Sequence, residues 1–511
     1  ISSRFERATA RSWRPSRATM GRVMRKIAAT FLVLVVMGCL FFGCQTWKSH
    51  RRWANFDREL KRRGESLDLK PLLPGSVSDA NNFARAEVFQ RLATGRSSNK
   101  IEDELFGRFR SIAAESDYSH PNNNSNWTQQ SFLDLQAYLQ LLSPNPNSTS
   151  IQGRSNSAVA LWNTLAPIEG SLAAIAKASR RPSFQIITNR DASAVYQSES
   201  RETSATLELN YVFQLRASVL LALDRAPEAA EDVLTSVRLA KLARQSPDQK
   251  SSIRAQVMLA RSLQPLWEGL AKNNWTEPQL AGFQEELSAF NLLADHTNTI
   301  QRIALAYIET WRLRAEGKTD KDFARQRSGS GGGEVDPHWQ PSAWWLENAM
   351  ELYRIAAHEI SRVDASAGRA ESNFQGTDLS GITLDQDAMT VFQQNIWSAG
   401  PTLVSYAQTV VNQAIIACAL ERYRLAHDSF PETLMPLLGE FMVKIPNDVL
   451  RGAPMFYYRY ETNKYVLRGI GPNGVIDQRI KPLSDDWIWT FAPLTTNAVP
   501  KRGAVRVIQR K

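Results

Sequence analysis

The sequence predicts a mainly α-helical protein. It should hold a single N-terminal transmembrane helix, an irregular tetratricopeptide-like array of helical hairpins, and a small C-terminal α+β module with a three-stranded β-meander. Three observations carry this expectation. Residues Ile27 to Cys44, IAATFLVLVVMGCLFFGC, form an 18-residue run without a charge, and a helix of roughly 20 residues spans the hydrocarbon of a bilayer. The centre of the chain repeats apolar residues at helical spacing. Near the C-terminus the pattern changes to short aromatic runs, FYYRY (456–460) and WIWTF (487–491), which suit strands.

Charge supports the membrane reading. The chain of 511 residues carries a formal charge of +10, but residues 1–64 hold fifteen Lys/Arg against three Asp/Glu, so the rest is slightly acidic. The basicity flanks the apolar run, where it meets lipid headgroups. No basic face on the folded body is implied, and nucleic acid is not an expected partner. The chain begins with Ile, and residues 1–19 are Arg/Ser-rich, so Met20 and Met24 are alternative starts. From Met24 the stretch Val36-Met37-Gly38-Cys39 approaches a lipoprotein signal with Cys39 as the acylated residue; an uncleaved anchor is the main expectation. Orientation stays open on charge: from Met20, three basic residues precede the span and seven follow it before Glu65, which would put the body in the cytoplasm, whereas with residues 1–19 the count is eight against seven and decides nothing.

Trp47 to Glu65 keeps a helical period, with Trp53, Phe56 and Leu60 on one face. Leu67 to Ala80 holds two prolines and is a loop. Asn82–Leu92 and Ile101–Ala114 are expected as short helices, and the polar PNNNSNWTQQ (121–130) as a loop. Longer helices are expected over Ser157–Ser179, Leu207–Leu223, Glu228–Arg244, Ser252–Lys272 and Glu277–Ala294. Pro227 and Pro278 suit first helical turns. Leu207–Arg244 has the dimensions of a hairpin repeat, without three clean copies at one period. RQRSGSGGG (325–333) is a flexible break. A helix follows within Pro337–Val363, a polar loop over Ala370–Asp387, and a last long helix over Leu403–Ala426. The expected segments are 1–26 basic, 27–44 transmembrane, 45–130 juxtamembrane, 131–325 helical array, 326–341 linker, 342–402 helix and loop, and 403–511 the α+β module.

Motifs that would carry a reaction are not found. Gly469-Ile470-Gly471-Pro472-Asn473-Gly474 matches G-x-G-x-x-G, but Pro472 and the following VIDQR make no helix start to hold a pyrophosphate, so a turn is expected. His358-Glu359 opens like a zincin motif, yet Arg362 stands where the second His is needed. The histidines at 50, 120, 296, 338, 358 and 427 are scattered. Cys39 and Cys44 lie in the apolar run, and Cys418 reads as a buried structural thiol. Asp485-Asp486, with Asp477 upstream, could bind Ca²⁺ through hard oxygens; a charged turn before a strand is the expected role. No catalytic, cofactor-binding or metal-binding residue is therefore assigned, and no cofactor or small-molecule substrate is expected.

Several pieces taken together resemble known proteins. The anchor with Trp47 and Trp53, RELKRRGESLDL (58–69), Asn81-Asn82-Phe83-Ala84 and QPLWEGLAKNNWTEPQL (264–280) resemble uncharacterised membrane-anchored helical proteins of planctomycete and verrucomicrobial bacteria. That likeness covers nearly the whole chain and implies an architecture only. ALERYRLAHDSFPETL (419–434), IPNDVLRGAPMFYYRY (445–460), KYVLRGIGPNGVIDQ (464–478) and SDDWIW (484–489) resemble the globular domain of type II secretion major pseudopilins. That resemblance implies a helix, a β-meander and an aspartate-bearing calcium loop, with Asp485 and Asp486 as the metal candidates. It also implies a periplasmic body. In pseudopilins the apolar helix leads directly into this domain, whereas here it lies far upstream, and VIDQRIKPLS (475–484) replaces the Gly-rich loop. The functional expectation is a bacterial inner-membrane protein, single-pass, that binds or scaffolds other proteins of the cell envelope and is not an enzyme. The alternative is a secretion or pilus-like assembly component acting through the C-terminal module.

Overall fold

The computed structural model describes residues 17–95, 99–114, 126–143, 153–186, 191–196, 201–247, 249–318, 341–371, 400–462, 464–474 and 487–491. They are mainly helical and fall into two units. One comprises the described residues of 17–66, 311–318 and 341–350; the other comprises those of 67–310 and 351–491. The 326–341 linker, save Pro341, and the pair Asp485-Asp486 lie outside the described residues.

The first unit is organised on helix α1, Arg17–Arg62, 46 residues and roughly 70 Å long at the α-helical rise. The apolar run and the Trp47–Glu65 segment as far as Arg62 are thus one helix, and residues 63 and 64 turn out of it. Side chains from Met24 to Phe42 are exposed, among them Phe31, Leu34 and Leu40. From Ser49 onward one flank packs: Ser49 and Leu60 are buried, and Trp53 lies 5.9 Å from Phe56. Two further pieces complete this unit. They are residues 311–315 of α12 (Leu292–Ala315) and residues 342–350 of α13 (Ser342–Ser361). Ser49 Oγ and Arg52 Nη1 donate to Glu347 Oε1 at 2.8 and 3.1 Å. Trp311 and Trp345 are buried, and the Arg314 guanidinium lies 4.8 Å over Trp345.

The second unit begins with short helices α2 (Glu87–Thr94), α3 (Lys100–Ala114), α4 (Leu135–Leu142), α5 (Arg154–Leu165) and α6 (Glu169–Ala178). The expected Asn82–Leu92 helix is broken. Asn82 caps a 3₁₀ turn, Phe83–Arg85, by accepting from Ala84 N, and its amide donates to Gln185 O, so its side chain serves the loop and not a helix. Ser157–Ser179 is likewise two helices, because Pro167 lacks an N–H and forces a 3₁₀ turn at Ala166–Ile168. Within the expected 121–130 loop, Asn126–Gln129 form a 3₁₀ turn, and Trp127 is buried.

After the four-residue α7 (Ser193–Tyr196), α8 (Arg201–Ala222) is buried on all sides from Ala205 to Leu221. It pairs with α9 (Ala226–Ala243) through a tight turn. Asp224 takes a left-handed φ of 59°, Arg225 N donates to Leu220 O and Asp224 N to Leu221 O, which closes the helix C-terminus, and Pro227 starts the next. Across the pair, Arg216 makes a two-pronged bond to Asp232, 2.7 Å on each side, and a third to Glu169. Helix α10 (Gln249–Ala271) follows. Then α11 (Glu277–Ser288) opens on a Thr276–Gln279 capping box. The expected Glu277–Ala294 helix ends at Ser288, and α12 starts anew at Leu292, whose N–H is taken by Gln408 Oε1 at 2.7 Å.

The last helix, α14 (Gly400–His427), is apolar and buried through the whole of its most apolar window. Two-stranded ribbons pair β1 (Val363–Asp364) with β2 (Arg369–Ala370), and β3 (Asn447–Asp448) with β4 (Ala453–Pro454). Strands β5 (Phe456–Glu461), β6 (Lys464–Gly469) and β7 (Trp487–Thr490) form an antiparallel sheet in that order, with Val466 opposite Tyr458 and Thr490. Gln413 of α14 donates to Trp487 O, and Trp267 of α10 donates to Thr490 O at 2.8 Å. The buried Asp448 carboxylate accepts from the N–H groups of Leu450, Arg451 and Ile470, tying the β3–β4 turn to the end of β6.

Among the described residues, three helical stretches are long and apolar enough to cross a membrane: Met24–Arg62, Arg154–Ala178 and Thr402–His427. Their most apolar windows are respectively 0%, 33% and 100% buried.

Two outcomes follow from this packing. Gly269 lies under the Trp275 ring, and a Cβ built there would meet it at 2.1 Å. In an open helix Gly→Ala stabilises by up to about 1 kcal/mol; here overpacking wins, and Gly269→Ala should destabilise by about 1–3 kcal/mol in urea unfolding. An unchanged midpoint would contradict the packing. His296 on α12 is buried, and burial lowers its pKa to about 4. The unfolded chain therefore takes up a proton near pH 6.5 that the folded one refuses. The stability this group contributes is complete above pH 6.5 and is lost as pH falls toward 4, on the order of 3 kcal/mol. His296→Phe should flatten that slope relative to the parent in urea titrations between pH 7.5 and 4.5.

Candidate binding groove

The second unit contains an open groove of about 680 Å³. Its floor is α11 and α14, presenting Gln284, Gln408, Asn412 and Arg422; its rims are the Gly439–Lys444 loop and the turn Ala365–Gly368 between β1 and β2. The loop is positioned by side chains from the floor. Gln284 Nε2 donates to Phe441 O at 2.8 Å, and Arg422 Nη1 donates to the same carbonyl at 3.0 Å and to Gln284 Oε1 at 3.1 Å. Glu277 pairs with Arg422 at 2.8 Å, so the guanidinium charge is already answered. Gly439 adopts a φ of 94°, and its N–H donates to Met442 O, which closes the loop on itself.

At the other end, amides relay along α14. Gln408 Nε2 donates to Asn412 Oδ1, and Asn412 Nδ2 to Asn447 O, both at 2.9 Å. Asn291 Nδ2 donates to Ala365 O at 3.2 Å and fixes the opposite rim. Gln408 and Asn412 occupy i and i+4 positions on α14, among the polar residues that interrupt its apolar sequence. That spacing is the available sequence signal, and the expectation of a long helix over Leu403–Ala426 does not single it out. Val443 on the rim is 98% exposed, whereas Met442 beside it is buried. The groove thus offers an apolar rim beside amides and backbone carbonyls that are paired with one another. Such a surface can hold an extended polypeptide by shape and apolar contact. One hydroxyl on its rim meets a carboxylate: Ser366 Oγ donates to Asp364 Oδ1 at 2.6 Å, and the same oxygen accepts from the N–H groups of Ser366 and Ala367, which closes the β1–β2 turn.

The residues singled out in the sequence do not gather here. Gly471 O accepts from Gly474 N, so the glycine run forms a turn. Gly469 is small because Thr409 Cγ2 would lie 2.7 Å from its Cβ, where β6 crosses α14. Arg362 Nη1 reaches both Glu359 oxygens at 3.3 Å, and His358 is exposed. Cys418 is fully buried on α14, and burial pushes its thiol pKa up, away from reactivity. His427 stacks on Tyr423 at 4.0 Å. Among the described residues no group of three or more His, Cys, Asp or Glu is disposed to hold a metal ion. Asp477, Asp485 and Asp486 lie outside those residues.

Arg422→Ala should free the loop. It removes a charged donor from a carbonyl and leaves Gln284 Oε1 unpaired, a loss of about 2 kcal/mol. Limited proteolysis should then cut near residues 439–444 several-fold faster than in the parent, and equal rates would show that the clasp does not hold the loop. Comparison of the chain with protein-family models, with curated proteins and with solved structures found no match.

Proposed function

We propose that this is a membrane-tethered protein of the bacterial cell envelope that binds other proteins, with residues 27–44 as its single span and its body on the periplasmic side. The observation that carries the tether is the exposure of α1. Twelve large apolar side chains between Met24 and Phe42 are more than 40% exposed. At about 1.5–3 kcal/mol each, leaving them in water would cost about 20 kcal/mol or more. A bilayer removes that cost. The less apolar window of Thr402–His427, with a mean hydropathy of 1.4 against 2.5, is 100% buried against protein, so its apolar surface needs no lipid.

The groove between α11 and α14 is the proposed binding surface, and an unstructured or strand-like segment of a partner protein is the proposed occupant. Protein binding suits this surface better than catalysis, because the amides of its floor are already engaged in fixing the rims, and the Ser366 hydroxyl and Asp364 carboxylate are engaged in closing a local turn. The α8–α9 pair supports a helical-hairpin architecture of tetratricopeptide type for this part of the body. A second reading, pilus-like assembly through the C-terminal module, is favoured by one feature: α14 is followed by the three-stranded β5–β6–β7 meander, the order that the pseudopilin resemblance implies.

One experiment separates the two. A photo-crosslinking amino acid at position 443, in full-length protein in its native membrane, should capture a discrete partner different from this chain. An adduct between two copies would favour the assembly reading, and no adduct would remove the groove as a binding surface. Alkaline phosphatase fused after Lys511 should be active, and a stable but inactive fusion would place the body in the cytoplasm.

A further inference from the structure

The turn of α1 just beyond the apolar run is built differently on its two flanks. Ser49, Trp53, Phe56 and Leu60, at i, i+4, i+7 and i+11, form the packed flank. Lys48, Arg51 and Arg52, at i, i+3 and i+4, share an exposed flank. Helical rise puts Lys48 about 6 Å and Arg52 about 12 Å past Cys44. The headgroup layer is about 5–7 Å thick on each side of the hydrocarbon. Side chains on a helix lean toward its N-terminus, here toward the apolar run. Arg51 does so visibly, with its guanidinium 5.5 Å over the exposed Trp47 ring.

Neighbouring carboxylates answer Arg52 but not Lys48 or Arg51. Glu347 pairs with Arg52 at 3.1 Å, Asp57 with Lys61 and Glu59 with Arg63. Among the described residues neither Lys48 nor Arg51 has an ion-pair partner. The start of α13 comes to the same level, with Ser342 Oγ 3.4 Å from His50 Nε2, and its positive end adds to the field.

We propose that Lys48 and Arg51, with Trp47 as an apolar platform, form a binding site for the phosphate of anionic phospholipid headgroups. The site would set the depth and rotation of α1 in the bilayer and make the attachment of this unit selective for anionic lipid. This rests on the membrane-span reading and adds the ligand class and the residues.

The test uses full-length protein purified in a neutral detergent, with dioctanoyl phosphatidylglycerol and dioctanoyl phosphatidylcholine as probes and bound lipid counted by native mass spectrometry. The phosphatidylglycerol should bind preferentially. The preference should weaken in high salt and fall about 30-fold in the Lys48→Gln/Arg51→Gln variant, at roughly fivefold per charge. A charge-keeping Lys48→Arg/Arg51→Lys variant should retain it. Equal binding of both lipids, or a preference that survives the Gln variant, would overturn the site. Carbonate extraction of native membranes tests the span separately. Release of the parent protein would overturn the anchor and the site together, whereas retention without lipid preference would overturn the site alone.

Discussion

The second unit depends on one turn of α10. Gln264, Trp267 and Glu268 point from it to two distant parts of the chain. Glu268 accepts from Leu133 N at 2.7 Å and Gln264 Nε2 at 2.8 Å on one oxygen, and from Arg154 Nη2 at 2.6 Å on the other. Gln264 Oε1 takes Trp127 N at 2.6 Å. Trp267 donates to Thr490 O, and Trp127 lies 4.9 Å from Trp489. A buried carboxylate is costly unless paired and fully hydrogen-bonded, and burial raises the pKa of Glu268. Arg154 and the donated N–H groups offset that cost. The same clasp brings an early 3₁₀ turn and the last strand of the meander against one helix.

This junction explains why the sheet and the helical body belong to one compact unit. A three-stranded meander and one helix form a small core. Here β7 also uses Trp267, and α14 packs on α10 and α11 as well as on the sheet. The groove is a by-product of that arrangement. Helix α14 must be buried, so its polar residues Gln408 and Asn412 turn to the one side where loops pass, and they bind the rims.

The two most apolar helices solve the same problem in opposite ways. Both α1 and α14 could cross a membrane by length and composition. Polar side chains interrupt α14 at Ser405, Gln408, Thr409, Asn412 and Gln413, and these find protein partners or protein surroundings. The run 27–44 has only Thr30 as a polar side chain, and Thr30 returns its hydroxyl to Lys26 O. Past the run, Ser49 and Arg52 both meet Glu347.

By itself the sequence determined what short-range rules govern. Apolar period and length placed α8 to α10, α14 and the exposed run of α1. Aromatic alternation placed β5 to β7, and Pro227 and Pro278 placed two helix starts, because propensity and periodicity act over a few residues. The proposed headgroup flank was partly legible too, as basic residues after Cys44. Only the tertiary structure decided the rest. It split Ser157–Ser179 and Glu277–Ala294, buried Trp127 from a polar stretch, and gave Asn82, Gln264, Glu268, Gln284, Gln408, Asn412 and Arg422 their partners. Apart from the local Asn82–Ala84, Gln264–Glu268 and Gln408–Asn412 bonds, those partners lie from 19 to 157 residues away in sequence. A side-chain amide or carboxylate carries no local mark of the backbone group it will meet, so such bonds exist only once packing brings the two together.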